Sequence, residues 1–375
     1  MTVKRSIQDI IEKGLFRGKI AIIYGARQVG KTTMVKDIQK KYSENSSYFN
    51  CDEPDIRDAL TNKTSTEIKA FIGRKKLVII DEAQRVENIG LTLKLIADNF
   101  TDIQIIATGS SAFDLSNKIT EPLTGRKNEY YLYPFSLREL RNIYSDLEID
   151  RLLERRMIYG MYPEITQGSE DSEKRLRSLA LSYAYKDILQ YQYIKNPEVL
   201  EKLLKALALQ IGCEVSYNEL AGMVGVSKQT VENYVQLLEK AFIIFRLGPF
   251  SGNLRNELKK LRKIYFYDTG IRNALINNFN ALNLRTDVGN LWENFMISER
   301  IKHNNSREID ANMYFWRTTQ KQEIDYVEER RGILSAFEFK WKKDSFKKPK
   351  VFVDAYPGSS VELVNKDSYK KFVGL

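Results

Sequence analysis

Short apolar runs alternate with longer amphipathic stretches over the first third of the chain. The runs are rich in β-branched residues and each is followed by a helical stretch, a pattern typical of a parallel sheet covered on both faces. The predicted strands are Ile20–Tyr24, Ser47–Cys51, Leu77–Asp81, Ile103–Thr108 and Glu129–Tyr133. This alternation predicts an α/β domain over residues 1–134.

The pattern changes after Pro134. Charged helical stretches without a strong strand signal indicate a helical lid or connector over residues 135–196. Two helical segments and two β-rich runs follow in residues 197–286, and a helix leads into a last set of strands in residues 287–375. The predicted strands of these two parts are Ile243–Leu247, Ile264–Tyr267, Met313–Trp316, Glu323–Val327 and Ala336–Trp341.

Composition narrows the class of protein. A chain of 375 residues is too long for one ordinary domain. No apolar stretch approaches the roughly 20 residues of a membrane span, so we expect a cytoplasmic protein without a membrane partner. Two cysteines rule out a disulfide scaffold, and the single His303 rules out a multi-histidine metal site. The net charge of +10 is compatible with a nucleic-acid partner without establishing one.

A phosphate-binding motif follows the first predicted strand. Residues 25–32 satisfy the pattern G-x-x-x-x-G-K-[ST] between a strand and a helix. Backbone N–H groups of such a loop surround phosphates, Lys31 reaches the β- and γ-phosphates of ATP, and Thr32 ligates Mg²⁺. The predicted nucleotide contacts are Gly25, Ala26, Arg27, Gln28, Val29, Gly30, Lys31, Thr32, Thr33, Asp81 and Ser110.

Two acids and a polar turn are expected beside this loop. Asp81 ends the buried run that begins at Leu77 and would hold Mg²⁺ through water, while Glu82 would deprotonate an attacking water. Ser110 follows the next strand and would sense the γ-phosphate, although a capped turn explains it equally well. Guanine specificity finds no support, because residues 117–120 lack the aspartate of an N-K-x-D motif.

These residues resemble the AAA+ ATPases, in particular a bacterial and archaeal group with a C-terminal domain of unknown function. The matching segments are 25–32, 77–82, 107–111, 123–126, 133–136, 161–164, 186–188 and 267–270. The resemblance implies ATP as ligand and a five-stranded core with a strand inserted between the two phosphate-site strands. It also implies that Arg126 contacts the γ-phosphate of its own subunit or of a neighbour in a homo-oligomer, with a structural ion pair as an equal alternative.

A helix-turn-helix is predicted at Tyr217–Val224 and Ser227–Lys240, with Ser227 as the N-cap of the second helix. The second helix has an apolar face of Val231, Val235 and Leu238 and a polar face of Lys228, Gln229, Glu232, Asn233 and Gln236. With a basic cluster at residues 255–263, this segment suits contacts to duplex DNA. The family resemblance includes a winged helix here, and packing against protein is an equal alternative.

Acidic residues and a lysine converge in the last part of the chain. A turn centred on Arg331–Gly332 makes Asp325 the cross-strand partner of Glu338, and these like charges need a compensating cation. The arrangement resembles the PD-(D/E)XK fold of restriction endonucleases. That resemblance implies that Asp325 and Glu338 bind Mg²⁺ with help from Glu293, while Lys340 positions or activates a water.

Two functions are compatible with this sequence. The first is an ATPase that acts on DNA through the winged helix and a metal-dependent nuclease-like site. The second is a nucleotide-dependent regulatory switch, in which an inactive nuclease-like domain contacts a protein partner.

Overall fold

The computed structural model describes residues 3–110, 119, 123–168, 171–182, 196–250, 262–318, 320–343 and 345–375. The chain divides into two compact units, Met1–Tyr133 with Lys240–Phe242, and Pro134–Glu239 with Ile243–Leu375. The first unit ends one residue before the predicted end of the ATPase domain. The three parts predicted beyond it lie in one unit.

The first unit contains helices and strands in alternation. Its helices are α1 (Gln8–Gly14), α2 (Lys31–Lys40), α3 (Pro54–Leu60), α4 (Ser65–Ile72) and α5 (Ile89–Asn99). Its strands are β1 (Ile20–Tyr24), β2 (Ser46–Asn50), β3 (Leu77–Asp81), β4 (Gln104–Gly109) and β5 (Lys127–Tyr131). All five predicted strands are present, with bounds that differ by at most two residues.

The strands of the first unit form one parallel sheet in the order β2-β3-β4-β1-β5. Strand β4 lies between β1 and β3, which confirms the expected insertion. Every residue of β1, β3 and β4 is buried, because helices cover both faces of a parallel sheet. The carboxyl ends of these three strands therefore meet at one edge, where the loops that follow them come together.

The second unit begins with helices and continues as a mixed α/β structure. Its helices are α6 (Leu137–Leu140), α7 (Asp146–Tyr159), α8 (Pro163–Thr166), α9 (Ser172–Ser182), α10 (Pro197–Leu209), α11 (Tyr217–Val224), α12 (Lys228–Lys240), α13 (Thr269–Leu275), α14 (Val288–Ser306), α15 (Lys350–Ala355) and α16 (Tyr369–Val373). Its strands are β6 (Glu214–Val215), β7 (Ile244–Pro249), β8 (Arg262–Phe266), β9 (Asn312–Arg317), β10 (Glu323–Arg330), β11 (Ile333–Phe339) and β12 (Ser360–Val364).

One seven-stranded sheet joins the strands of the second unit in the order β12-β11-β10-β9-β7-β8-β6. Strands β7 and β9 pair in parallel through Gly248 with Tyr314 and Pro249 with Phe315. The strands predicted for the wing and those predicted for the nuclease-like domain are thus continuous. The predicted boundary between residues 286 and 287 does not separate two sheets.

The helix-turn-helix forms where the sequence predicts it, as α11 and α12. Gly225 follows α11 in the left-handed conformation (φ 73°), which glycine adopts without strain. The Ser227 hydroxyl accepts a hydrogen bond from Thr230 N (3.1 Å), so the predicted N-cap is confirmed. The predicted apolar face is also confirmed, since Val231 and Leu238 are fully buried.

Helix α14 packs at the centre of the second unit. It carries fully buried aromatic side chains such as Trp292, together with a buried ion pair between Glu299 and Lys302 (2.7 Å). This mixture of apolar and charged residues is typical of a core helix that also holds a polar network. Nowhere in the described ranges is a helix both long and apolar enough to span a membrane.

Candidate functional site

The loop between β1 and α2 has the backbone that a phosphate cradle requires. Gly30 adopts φ 96° immediately before α2 begins at Lys31, a conformation that suits glycine. A Cβ atom at Gly25 would lie 2.2 Å from the carbonyl oxygen of Leu132, so only glycine fits there. The motif glycines therefore allow the loop to fold tightly and to direct the N-terminus of α2 at its centre.

Lys31 lies in the mouth of this loop. Its ammonium group donates hydrogen bonds to the carbonyl oxygens of Gly25 (2.7 Å) and Ala26 (3.0 Å). The predicted contact residues Ala26 and Val29 are buried, so only their backbone can face a ligand. The loop thus presents backbone groups and the positive charge of Lys31, which suits a phosphate chain.

Asp81 is the centre of a hydrogen-bond network at the end of β3. Its Oδ2 atom accepts hydrogen bonds from the Thr32 hydroxyl (2.7 Å) and the Tyr48 hydroxyl (2.5 Å). Its Oδ1 atom accepts one from the Thr108 hydroxyl. The expected closeness of Asp81 to the phosphate loop is confirmed by the Thr32 contact.

Tyr48 was not predicted as a site residue. It pairs with Ile79 on the neighbouring strand, and Asp81 lies two residues further along on the same face. The strand register could therefore have identified it. Burial and the hydrogen bond to Asp81 raise the pKa of the Tyr48 hydroxyl well above its usual value, so this group acts as a donor at neutral pH.

Glu82 has a left-handed backbone (φ 54°), which is uncommon for a residue with a side chain. Its N–H group donates to the Thr108 hydroxyl (3.1 Å), and its Oε2 atom accepts from Gln84 Nε2 (2.5 Å). Gln84 Nε2 also donates to the Ser110 hydroxyl (3.1 Å). The structure therefore brings the predicted base and the predicted sensor together through a glutamine that sequence reasoning missed.

Arg5 is a second residue that the sequence did not identify. Its guanidinium group is buried and donates to the carbonyl oxygens of Val29 (2.6 Å) and Tyr133 (2.5 Å). These bonds tie the N-terminal segment to the phosphate loop and to the end of the sheet. No local pattern around Arg5 signals this role, because both partners are backbone groups far away in the sequence.

Arg126 lies away from the phosphate loop. It precedes β5, and its carbonyl oxygen accepts a hydrogen bond from Ile20 N (2.9 Å) at the amino end of β1. The phosphate loop follows the carboxyl end of β1, and the five residues of this strand separate its two ends by about 16 Å. The predicted contact to the γ-phosphate of its own subunit is therefore wrong, and Arg126 instead pairs with Asp98 (2.6 Å). A contact to a neighbouring subunit stays a prediction.

The residues at this loop fit Mg²⁺. The Thr32 hydroxyl and the Asp81 carboxylate are hard oxygen donors within hydrogen-bond distance of each other. Mg²⁺ is usually held by one or two such protein groups, with phosphate oxygens and water completing its octahedron. Thr32 and Asp81 together with a nucleotide therefore provide a suitable donor set.

The predicted hairpin register in the second unit is confirmed. Strands β10 and β11 pair Tyr326 with Phe337 and Arg330 with Ile333, which places Asp325 and Glu338 opposite each other at the next step. Asp325 Oδ2 accepts a hydrogen bond from Phe339 N (2.9 Å). The Lys340 ammonium lies 2.6 Å from Glu338 Oε1 and 4.0 Å from Asp325 Oδ2, as the expected convergence requires.

Lys263 lies beside these acidic residues, although the sequence placed it in the basic segment 255–263. Lys263 was predicted to contact phosphates as part of a basic cluster, but its side chain is only 2% exposed, so that prediction is wrong. The rest of that cluster, residues 255–262, lies outside the described part except for Arg262. The Lys263 ammonium lies 3.2 Å from Glu293 Oε1 and 2.5 Å from Glu323 Oε1. Tyr265 also donates its hydroxyl hydrogen to Glu293 (2.5 Å).

Burial sets the electrostatics of this C-terminal cluster, defined here as Lys263, Glu293, Glu323, Asp325, Glu338 and Lys340. Desolvation, with a further contribution from Asp325, raises the pKa of Glu293 to about 8. Desolvation also raises the pKa values of Asp325 and Glu338. Among the residues that the structure describes, no three Asp, Glu, His or Cys side chains are arranged to hold a metal ion. Lys263 and Lys340 compensate the charge of these acids, and metal binding by Glu293, Asp325 and Glu338 stays a prediction.

Comparisons with protein families divide the chain into three parts. Residues 17–141 match a model described as an AAA domain. Residues 150–282 match a domain of unknown function, DUF8612, and residues 288–371 match another, DUF4143. Most of the first unit therefore matches an AAA domain, and the last part of the chain matches DUF4143.

Relatives occur in bacteria and archaea. An uncharacterized protein of Mycobacterium tuberculosis is 27% identical over 342 residues, which cover 90% of this chain and 74% of the relative. An uncharacterized protein of Methanocaldococcus jannaschii is 28% identical over 319 residues, which cover 73% of this chain and 65% of the relative. The crystal structure of Cdc6p from Pyrobaculum aerophilum aligns with 73% of this chain and 92% of its own at 13% identity and a TM-score of 0.29, too low to bear on function.

Proposed function

We propose that this protein is a Mg²⁺-dependent ATPase that works with DNA. The observation that carries the ATPase assignment is the contact between Thr32 and Asp81 beside the Lys31 ammonium. This contact puts a hydroxyl, a carboxylate and a cation at the mouth of one glycine-rich loop. ATP and its magnesium ion are the ligand pair that such a set of groups suits.

Each of these groups has a distinct task in hydrolysis. The loop N–H groups and Lys31 hold the β- and γ-phosphates, and Thr32 with Asp81 would hold Mg²⁺. When bound, the ion neutralises charge that develops on the phosphate oxygens. Glu82 accepts the proton of a water whose oxygen bonds to the γ-phosphorus while the bond to the ADP oxygen breaks.

The exposed face of α12 supports DNA as partner. Lys228, Gln229 and Asn233 are exposed on this face, opposite the buried residues that anchor the helix. Gln229 and Asn233 carry amides, which can read adenine edges in a major groove, and Lys228 can contact phosphate. The winged-helix assignment of this segment is part of the same proposal.

One assay tests both parts. ATP hydrolysis is measured with and without duplex DNA for the parent protein, for Glu82→Gln and for Asn233→Ala. We expect hydrolysis that DNA stimulates, no turnover in Glu82→Gln despite ATP binding, and loss of stimulation alone in Asn233→Ala. Turnover at the parent rate in Glu82→Gln would contradict the assignment of the base. An identical DNA response in Asn233→Ala would contradict the proposed reading face.

A second candidate concerns the C-terminal cluster. The insertion of Lys263 between Glu293 and Glu323 favours a nuclease-like domain that does not cleave and that serves as an interaction surface. Plasmid DNA incubated with Mg²⁺ or Mn²⁺ tests this. We expect no cleavage by the parent protein under any nucleotide condition. Metal-dependent cleavage that is lost in Lys340→Ala would instead establish an active nuclease.

A further inference from the structure

A single side-chain amide connects the two strand ends that carry the proposed base and the proposed sensor. Gln84 Nε2 has two hydrogens and donates to both Glu82 Oε2 (2.5 Å) and Ser110 Oγ (3.1 Å). Gln84 is 9% exposed and Ser110 is 3% exposed. Because water has little access to either group, the bridge is not readily replaced by solvent.

The backbone explains why Gln84 can reach both partners. Strands β3 and β4 are adjacent and parallel, so Glu82 and Ser110 emerge at the same edge of the sheet. The left-handed Glu82 is followed by a short 3₁₀ turn at Ala83–Arg85, which contains Gln84. The left-handed Glu82 and the turn together fold the Gln84 side chain back onto the Glu82 carboxylate.

The direction of these hydrogen bonds allows a continuous chain from phosphate to base. A serine hydroxyl has one hydrogen to donate and two lone pairs to accept with. Ser110 accepts from Gln84, so its own hydrogen can be given to a phosphate oxygen without breaking that bond. On Glu82 the bond from Gln84 goes to Oε2, which leaves Oε1 to receive the proton of the attacking water.

We propose that Gln84 is a positioning residue that links recognition of the γ-phosphate by Ser110 to the orientation of Glu82 as the base. The inference rests on the proposed ATPase function and adds to it a residue that the motif does not contain. Without Gln84, Glu82 and Ser110 would each keep their own role, but Glu82 would sample several rotamers. The rate of the chemical step would then fall while nucleotide binding stayed the same.

The test compares steady-state ATP hydrolysis by the parent, Gln84→Met, Ser110→Ala and the double variant. Methionine keeps the length of glutamine but cannot donate, and Gln39→Met, in the same unit, is the matched control. We expect kcat to fall about tenfold or more in Gln84→Met with KM within about twofold. We expect the double variant to be no slower than the slower single variant, because both changes interrupt one chain.

The alternative outcomes are distinct. A kcat within about twofold of the parent in Gln84→Met would overturn the inference while leaving the ATPase function intact. The same holds if its melting temperature falls but kcat does not, since Gln84 would then be only structural. Fully additive effects of the two substitutions would show that Gln84 and Ser110 act independently. A parent protein without hydrolysis, with or without DNA, would overturn the proposed function and this inference with it.

Discussion

Replacing Lys263 by methionine tests whether this lysine is the cation of the C-terminal cluster. Methionine preserves most of the side-chain volume and removes the positive charge, so the buried carboxylates lose their partner. Removing one member of a buried ion pair costs about 3–5 kcal/mol, because the remaining charge stays desolvated. Two features of the structure place the expected loss at the lower end of this range.

Glu323 is 30% exposed and keeps Arg317 at 3.8 Å, so its carboxylate loses little stabilisation. Glu293 is 10% exposed and loses its direct contact with Lys263, but its pKa is already raised to about 8. It can therefore take up a proton at neutral pH and limit the penalty. We expect a loss of about 3 kcal/mol, which is a large part of the typical 5–15 kcal/mol of a folded domain.

Urea unfolding followed by tryptophan fluorescence measures this loss selectively. All three tryptophans, Trp292, Trp316 and Trp341, belong to the second unit, so the signal reports that unit alone. With an m-value of about 3 kcal/mol/M, the midpoint should fall by about 1 M. Lys205→Met is the matched control, because it removes an exposed pair with Glu201 that is worth at most about 0.5 kcal/mol.

Two results would refute this reasoning. A midpoint shift in Lys263→Met no larger than that in Lys205→Met would mean that the buried contacts contribute no net stability. A rise of the parent midpoint with millimolar Mg²⁺ in the absence of nucleotide, abolished by Asp325→Asn, would assign the cation position to a metal. The double variant Lys263→Met/Glu293→Gln should recover part of the loss, since it removes the stranded carboxylate.

Three further predictions concern single side chains. Lys31→Ala should weaken ATP binding by about tenfold or more in a fluorescent-nucleotide titration, and an unchanged Kd would contradict the phosphate role. Arg5→Met should lower the melting temperature of the first unit and raise the Kd for ATP, because two backbone acceptors lose their donor. An unchanged Kd would show that Arg5 contributes only to stability. Glu293 has its pKa raised from 4.5 to about 8 on folding, so the folded state binds the extra proton and stability falls as pH rises through that window. Glu293→Gln should therefore show a smaller fall in urea midpoint between about pH 5 and about pH 9 than the parent protein, and a fall as large as that of the parent would count against the raised pKa.

Local patterns predicted much of the fold. The strands Ile20–Tyr24 and Leu77–Asp81 have the predicted bounds, because continuous apolar runs between turn residues are local signals. The position of Asp325 opposite Glu338 also followed from a turn a few residues away. In contrast, the sequence left Arg126 open between a phosphate contact and an ion pair, because a motif does not state at which end of its strand the residue lies.

The missed site residues depend on contacts between distant segments. Lys263 ends a run of basic residues that includes Arg262, and such a run usually lies in solvent. Only the packing of helix α14 against strand β8 brings it against Glu293. Gln84 similarly follows the recognised acid pair without belonging to any motif, and its role required knowing where Ser110 lies.

The shared sheet of the second unit limits how the chain can be cut for experiments. A fragment that ends at residue 286 would lack β9, the parallel neighbour of β7. A fragment that starts at residue 287 would lack β7 and would expose the edge of β9. Open edges of this kind recruit strands from other molecules, so both halves are expected to aggregate. Amides at Gly248 and Phe315 should accordingly exchange their hydrogens at similar rates, as members of one cooperative folding block.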